Sequence, residues 1–261
     1  TFLWDVNKKE IDLEAIRIAD YIIHLAGAGI AEKRWTEARK KVIIDSRVES
    51  GNLLFNAVKS NPNQLKAFIS ASAIGYYGAI TTKHIFSESD PHHDDFLGET
   101  CAVWEESANQ FESIGIRTVK IRTGLVLSKE GGAFEKLKTP INLGIGSALG
   151  SGKQYSPWIH LEDLCEIYIK AIEDEKMKGS YNAVVLDDIT NEGLSKNIAE
   201  VLGKPFFFPK VPEFSLKLLL GEMSKLILEG SRVSSEKIQN AGFKFKFSNI
   251  KIALEDLLRK N

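Results

Sequence analysis

Three short runs, "YIIHLA" at 21–26, "AFISAS" at 67–72 and "RTVKIR" at 117–122, are spaced widely along the chain, and this spacing limits the fold more than any other feature. Two antiparallel strands can be joined by a two-residue turn, whereas parallel strands need a crossover of a dozen or more residues, usually a helix. The intervening chain has helical character. Ile44, Val48, Gly51, Phe55 and Val58 recur at spacings of three and four, which predicts one amphipathic face, and residues 99–113 read as a second helix. The order strand, helix, strand, helix, strand predicts an α/β fold on a parallel sheet.

Beyond residue 130 the texture changes. "KEGGAF" (129–134) and "NLGIGSALGSGKQYSPW" (142–158) are glycine-rich and are expected to be loops. "LEDLCEIYIKAIED" (161–174) places Leu161, Leu164, Ile167, Tyr168 and Ala171 on one side of a helix, and "YNAVVL" (181–186) reads as a further strand. From about 190 the chain is expected to be helical over 192–202, 213–229 and 249–260. The expected division is a core over 1–130, joined by 150–190, and a smaller, mainly helical lobe over 190–261 on the substrate side.

Composition removes several classes of function. A net charge of −1 gives no field for nucleic acid or an anionic membrane, and no apolar run is long enough to span a bilayer. Cys101 and Cys165 lie far apart and form no CxxC pair, which points to a reducing, cytoplasmic setting rather than a disulfide framework. "PHHDD" (91–95) offers adjacent histidines without a third ligand at motif spacing and reads as a solvated loop, so no metal is expected.

A dinucleotide fold opens with a strand, a glycine-rich turn and a helix that holds the pyrophosphate. No GxGxxG occurs; the nearest stretches are "GAGIAEK" at 27, with Lys33 where a third glycine is needed, and "GIGSALGSG" at 144. The opening "WD", acidic helix and strand resemble the third or fourth element of a doubly wound sheet. A first βαβ unit of roughly 40 residues is therefore expected to lie outside this sequence.

"HLAGAGIAEKRWTEARKKVIIDSR" (24–47), "SASAIGYYG" (70–78), "DDFLGETCAVWE" (94–105), "IRTGLVLSKEGGAF" (121–134), "GSGKQYSPWIHLEDL" (150–164) and "LEGSRVSSEKIQNAGFKF" (228–245) follow in order across nearly the whole chain. With them the chain resembles extended short-chain dehydrogenases/reductases, and within these the epimerase-like, NADP-dependent family that carries its own small C-terminal domain, some members of which bear a cell-division-inhibitor label. The resemblance implies a Rossmann-like, doubly wound parallel sheet with NADP as cofactor, NAD remaining an alternative. Fold alone does not fix the reaction.

The same resemblance assigns residues. Ala26 and Gly27 let a cofactor ribose and pyrophosphate approach the backbone, the plain alternative being a tight strand-to-loop turn. Arg47 lies on the cofactor side, and Arg34 and Trp35 lie at the mouth of a cleft; the plain alternative for both arginines is a solvated helix face. Ser70 stands at a strand exit beside the cofactor, and Ser72 is the hydroxyl expected to touch the reacting group. Thr123, Gly124 and Leu125 lie beside the nicotinamide, or form a buried strand and turn. Trp158 joins the substrate side, His160 is a candidate proton carrier or a helix-start residue, and Asp163 is a helix N-terminal residue. Arg232 reaches a substrate anion or forms a surface salt bridge.

Enzymes of this kind usually carry Tyr-x-x-x-Lys, in which the Lys binds the ribose and lowers the Tyr pKa. Here the two registers give Phe96 with Thr100 and Leu97 with Cys101. The usual relay is therefore absent. Two readings follow: an NADP-dependent oxidoreductase or epimerase-like enzyme with a relay built from Ser72, Tyr76 or Tyr77, or His160, or a dinucleotide-binding sensor or scaffold with little catalysis. The expected partners are a small, partly apolar, anionic substrate and a second copy of the chain.

Overall fold

The computed structural model describes residues 1–259. Two short strands, β1 (Trp4–Asp5) and β2 (Glu10–Ile11), and helix α1 (Leu13–Ile18) precede β3 (Tyr21–His24). Then come α2 (Glu37–Ser60), β4 (Ala67–Ala73), a 3-10 turn over Ile74–Tyr77, β5 (Ile85–Phe86), α3 (Phe96–Asn109) and β6 (Arg117–Thr123). After these follow β7 (Leu125–Leu127), α4 (Gly132–Asn142), β8 (Trp158–His160), α5 (Leu161–Glu173) and β9 (Gly179–Ala183). The remainder holds α6 (Asn191–Leu202), α7 (Glu213–Leu220), α8 (Lys225–Leu228), β10 (Arg232–Val233), α9 (Glu236–Asn240) and α10 (Ile250–Leu258).

β3, β4, β6 and β9 form a four-stranded sheet in that order, every pair parallel, and this is the Rossmann-like α/β fold. Successive side chains on a strand point to opposite faces. Phe68 stacks on Phe111 beneath α2 and α3, with Leu54, Phe55 and Val58 around it. Ile69, Val119 and Ile121 point the other way, against Ile167 and Ala171 of α5. A third core, around Leu127, Phe134, Trp158, Leu194, Ile198 and Leu254, joins the β7–β8 pair to α4, α6 and α10.

Several expectations need adjustment. On α2 the buried residues are Ile43, Ser50, Gly51, Leu54, Phe55, Ala57 and Val58, while Ile44 and Val48 are only half-buried. The second helix starts three residues earlier than expected, because Asp95 caps it by accepting from Leu97 N and Gly98 N at 3.1 and 2.9 Å. The strand expected at 181–186 runs instead from Gly179 to Ala183. "KEGGAF" is not all loop: α4 begins at Gly132 and buries Phe134 and Ile141. The helix expected over 213–229 breaks at Gly221, whose φ of 62° suits glycine. The helix expected over 249–260 is α10, ending at Leu258; its last expected position lies outside the described residues.

Gly51 shows how closely α2 and α3 meet. A Cβ there would stand 2.7 Å from Ser107 Oγ and 3.3 Å from its Cβ. Gly51→Val is expected to lower stability by about 1–3 kcal/mol, as overpacking does. Urea unfolding of the variant beside the parent measures this.

Candidate functional site

Parallel sheets covered by helices are usually apolar on both faces. Here the face turned to α2 and α3 carries polar residues in register across the strands. His24 pairs with Ser70, Ser70 with Lys120 and Lys120 with Ser180; one rung up, Ser72 pairs with Arg122 and Arg122 with Asn182. The residues between them, Ile69, Val119 and Ile121, belong to the apolar face.

The second rung closes on Glu105, which α3 sends down onto the sheet. Its Oε1 accepts from Ser72 Oγ and Arg122 Nε, both at 2.7 Å. Its Oε2 accepts from Arg122 Nη2 at 2.9 Å and Ser180 Oγ at 3.0 Å. Arg122 Nη1 donates to Tyr77 Oη at 2.9 Å, and that hydroxyl donates to Asn182 Oδ1 at 2.8 Å. The Tyr76 ring covers the guanidinium, 3.4 Å from Cζ to centroid. Glu105, Arg122, Ser72, Tyr77 and Asn182 are all buried. Burial pushes the Glu105 carboxyl up, but the Arg122 bonds and charge, with the two serines, outweigh it and hold its pKa below the ordinary value. Burial raises the Tyr77 phenol to about 12 despite Arg122.

The open side of the site lies at the carboxyl end of β3. Gly27 is exposed and Ala26 half-buried. A Cβ on Gly27 would lie 3.0 Å from Arg47 Cζ, so the guanidinium rests on bare backbone. Arg47 Nη1 donates to Ala28 O at 3.0 Å and Ile43 O at 2.8 Å, and Cζ lies 4.8 Å from the Trp104 ring centroid. Burial lowers the Arg47 pKa from its ordinary value, yet arginine keeps its charge at neutral pH. His24 sits below, its Nε2 2.8 Å from Ser50 Oγ. That hydroxyl donates its own proton to Ser46 O and Arg47 O at 2.7 and 3.0 Å, so His24 Nε2 must be the donor and Nδ1 is a buried acceptor without a partner among the described residues. Burial, then the Arg47 charge, push the imidazole down to about 4.

The start of α3 is apolar where a Tyr-x-x-x-Lys pair would stand. Phe96 meets Trp35 edge-on at 4.8 Å, and both pack with Ile43, Leu97 and Met223. Thr100 Oγ1 donates back to Phe96 O at 2.6 Å. Cys101 is buried against the end of β4, and burial raises its thiol to about 12, which makes it a poor acid.

Other expected site residues have different surroundings. Trp35 donates Nε1–H to Ile30 O at 2.9 Å and is core, not a cleft wall. Trp158 is fully buried in the helical lobe and donates to Asp187 Oδ2 at 3.3 Å, so it too lines no cleft. His160 caps α5, with Nδ1 accepting from Glu162 N at 3.2 Å, while its ring stacks on Phe247 at 3.7 Å and Nε2 lies 3.5 Å from Asp256. It shares no partner with Ser72 or Tyr77, so no relay joins the three. Arg232 forms the alternative salt bridge, with Nε donating to Asp188 Oδ1 at 2.8 Å. Arg34 lies in the loop before α2, exposed, with its guanidinium against Gly221. Ser70 is buried and donates to Ala71 O at 2.9 Å. Asp163 accepts from the backbone N of Lys246 and Phe247 at 2.9 and 3.0 Å, tying α5 to the chain before α10. Gly124 is required by packing, since a Cβ would stand 2.7 Å from both Pro157 O and Val184 Cγ1. Its neighbour Leu125 donates to Pro157 O at 2.8 Å, and Thr123 is half-buried at the end of β6. Sequence reasoning passed over Glu105, Arg122 and Asn182. The signal was "VKIR", which alternates apolar and charged residues in a strand expected to be buried on both faces.

Arg122→Met leaves the Glu105 carboxylate buried without its cation and is expected to cost about 3–5 kcal/mol, with Glu105→Leu/Arg122→Met costing less than either change alone. Equilibrium denaturation of the three variants checks it. His24 gives a pH dependence. The unfolded imidazole titrates near 6.5 and the folded one near 4, so between those values only the unfolded chain takes up the proton. Stability is fully present above pH 6.5 and falls by about 3 kcal/mol as pH drops through that window. Denaturation at a series of pH values is expected to show a shallower slope for His24→Leu.

Comparison with known proteins places the chain. The model of the NAD dependent epimerase/dehydratase family matches residues 5–185, and that of a domain of unknown function, DUF1731, matches 211–257. An epimerase family protein of Staphylococcus aureus is 37% identical over 241 residues, covering 92% of this chain and 80% of the relative. One from Staphylococcus saprophyticus is 36% identical over the same shares. Among solved structures, the human epimerase family protein SDR39U1, determined with NADPH, superposes with a TM-score of 0.85 at 30% identity over 92% of this chain and 81% of that one. A nucleoside-diphosphate sugar epimerase from Corynebacterium glutamicum gives 0.79 at 29% identity, over 98% and 49%. A Rossmann-like sheet, a bare strand end under an arginine and these likenesses agree: the chain belongs to the NAD dependent epimerase/dehydratase family.

Proposed function

We propose that the protein binds NADP and acts as an oxidoreductase or epimerase-like enzyme on a small, anionic substrate in the cytoplasm. The observation that carries this reading is the exposed glycine backbone at the end of β3 beneath the Arg47 guanidinium. Arg47 spends Nη1 on two backbone carbonyls, and among the described residues its Nε and Nη2 have no hydrogen-bond partner. A guanidinium held this way offers a planar pair of donors to a phosphate or carboxylate. The NADPH in the human neighbour's structure supports the choice of cofactor.

In this reading Ala26 and Gly27 let the cofactor backbone approach, and Arg47 takes an anionic group of it. A bound nicotinamide supplies or takes up hydride. Ser72 can serve the reacting group only by turning its hydroxyl away from Glu105. Phe96, Leu97 and Trp35 exclude water from the place where a tyrosine would stand, and Cys101 stays protonated.

A second reading, a dinucleotide-binding sensor or scaffold, is favoured by one observation: the Ser72 and Tyr77 hydroxyls are both spent inside the protein. The two readings separate by experiment. NADPH binding followed by cofactor fluorescence is expected, with Arg47→Ala weakening it about tenfold or more. Absence of binding by the parent sinks both readings. If NADPH binds, turnover on a panel of carbonyl compounds and nucleotide sugars that is lost in Ser72→Ala supports the enzyme; binding without hydride transfer supports the sensor.

A further inference from the structure

The helical lobe carries an apolar surface that the chain itself leaves uncovered. Phe207, Phe208, Phe214, Leu218 and Leu219 are between 42% and 79% exposed. Exposed apolar surface of this kind marks an interaction site or a ligand-binding groove. Phe214 and Leu218 stand four residues apart on α7 and Gly221 follows three residues later, so the three share one face. Leu216 and Leu220 turn the other way: Leu216 is buried, and Leu220 packs with Trp35, Ile43 and Met223. The apolar row therefore ends on a residue without a side chain, where α7 closes with Gly221 N–H donating to Lys217 O. Phe207 and Phe208, whose rings stack with centroids 4.9 Å apart, lie in the segment that leads into α7.

Arg34 occupies that end. A Cβ on Gly221 would stand 2.8 Å from Arg34 Nη2 and 3.3 Å from Nε, so the guanidinium rests on the bare glycine. Arg34 is exposed, and among the described residues its guanidinium has no hydrogen-bond or ion-pair partner. The carboxylates nearest in sequence are spent elsewhere: Glu222 is held by Lys40 at 2.7 Å and Glu213 by Lys217 at 2.5 Å. A free cation thus stands at one end of an apolar row that runs about 10 Å from Gly221 back to Phe214, at 1.5 Å per residue. An anionic membrane would draw on several unpaired cations beside such a surface. Here the flanking Lys210 and Lys217 are each held by a glutamate, and the free charge lies at one end. That layout fits one molecule with a charged head and an apolar tail. The guanidinium offers the head two parallel donors, and the row takes the tail out of water.

We propose that Arg34 and the Phe214–Leu218 row of α7 form a binding site for a single-chain amphiphile with an anionic head. The inference deepens the proposed reading of an anionic substrate and rests on it only for turnover; binding is read without cofactor. Calorimetric titration of the full chain with submicellar hexanoate, octanoate and decanoate is expected to show affinity that rises by up to about fourfold with each methylene. Decanol, which lacks the charge, is expected to bind at least about tenfold more weakly than decanoate. Arg34→Ala is expected to erase that difference, and Arg34→Lys to keep part of it. Phe214→Ser/Leu218→Ser is expected to flatten the chain-length series with unchanged circular dichroism, since both side chains are exposed. Affinity that does not rise with chain length overturns the proposal, as does a parent that binds decanol as tightly as decanoate. So does cosedimentation of the parent with phosphatidylglycerol vesicles that the two serines abolish, which assigns the surface to a membrane. NADPH that fails to bind removes the proposed function alone and leaves these outcomes to judge the site.

Discussion

The buried pair of Glu105 and Arg122 is the interaction around which the rest is arranged. Two charges taken out of water cost more than their attraction returns unless every remaining lone pair and proton is met. Here partners come from separate elements: Ser72 of β4, Tyr77 of the turn after it, and Ser180 of β9, with Asn182 beyond the phenol and the Tyr76 ring over the guanidinium. The pair thus fixes the seating of α3 on the sheet and the path of the chain after β4. An apolar layer would hold these elements together with less specificity of place.

The same saturation divides the site into two sides. On the β4–β6–β9 side the Ser72 and Tyr77 hydroxyls are already engaged, and the pKa of Tyr77 moves away from neutrality. On the β3 side the backbone is bare and Arg47 keeps donors in reserve. The apolar start of α3, sealed by Trp35 and Met223, separates the two.

Much of this was legible in the sequence. The parallel sheet followed from run spacing alone, and the unusual start of α3 was visible in "FLGETC". The position of Arg47 on the cofactor side came from resemblance, but its contact with Gly27 required the fold. Resemblance put Trp35 at the mouth of a cleft and Trp158 on the substrate side, and packing gives both core roles instead; of the two readings of His160, proton carrier or helix-start residue, the second is the one its cap of α5 matches. The Glu105–Arg122 pair was hidden for another reason. A helix and a strand 17 positions apart carry no local mark that their charges meet; only the alternation in "VKIR" showed that one face of a buried strand was not apolar.

Gly124 carries a mechanical consequence. It alone separates β6 from β7, and its tight fit against Pro157 and Val184 leaves the junction no slack. Leu127 of β7 is part of the core of the helical lobe, while Arg122 lies two residues before the junction in the main sheet. One residue thus stands between the strand in the core of the helical lobe and the strand of the main sheet that carries the buried ion pair's arginine, so that anything inserted at this junction would have to displace Pro157 or Val184 before it could lengthen the link.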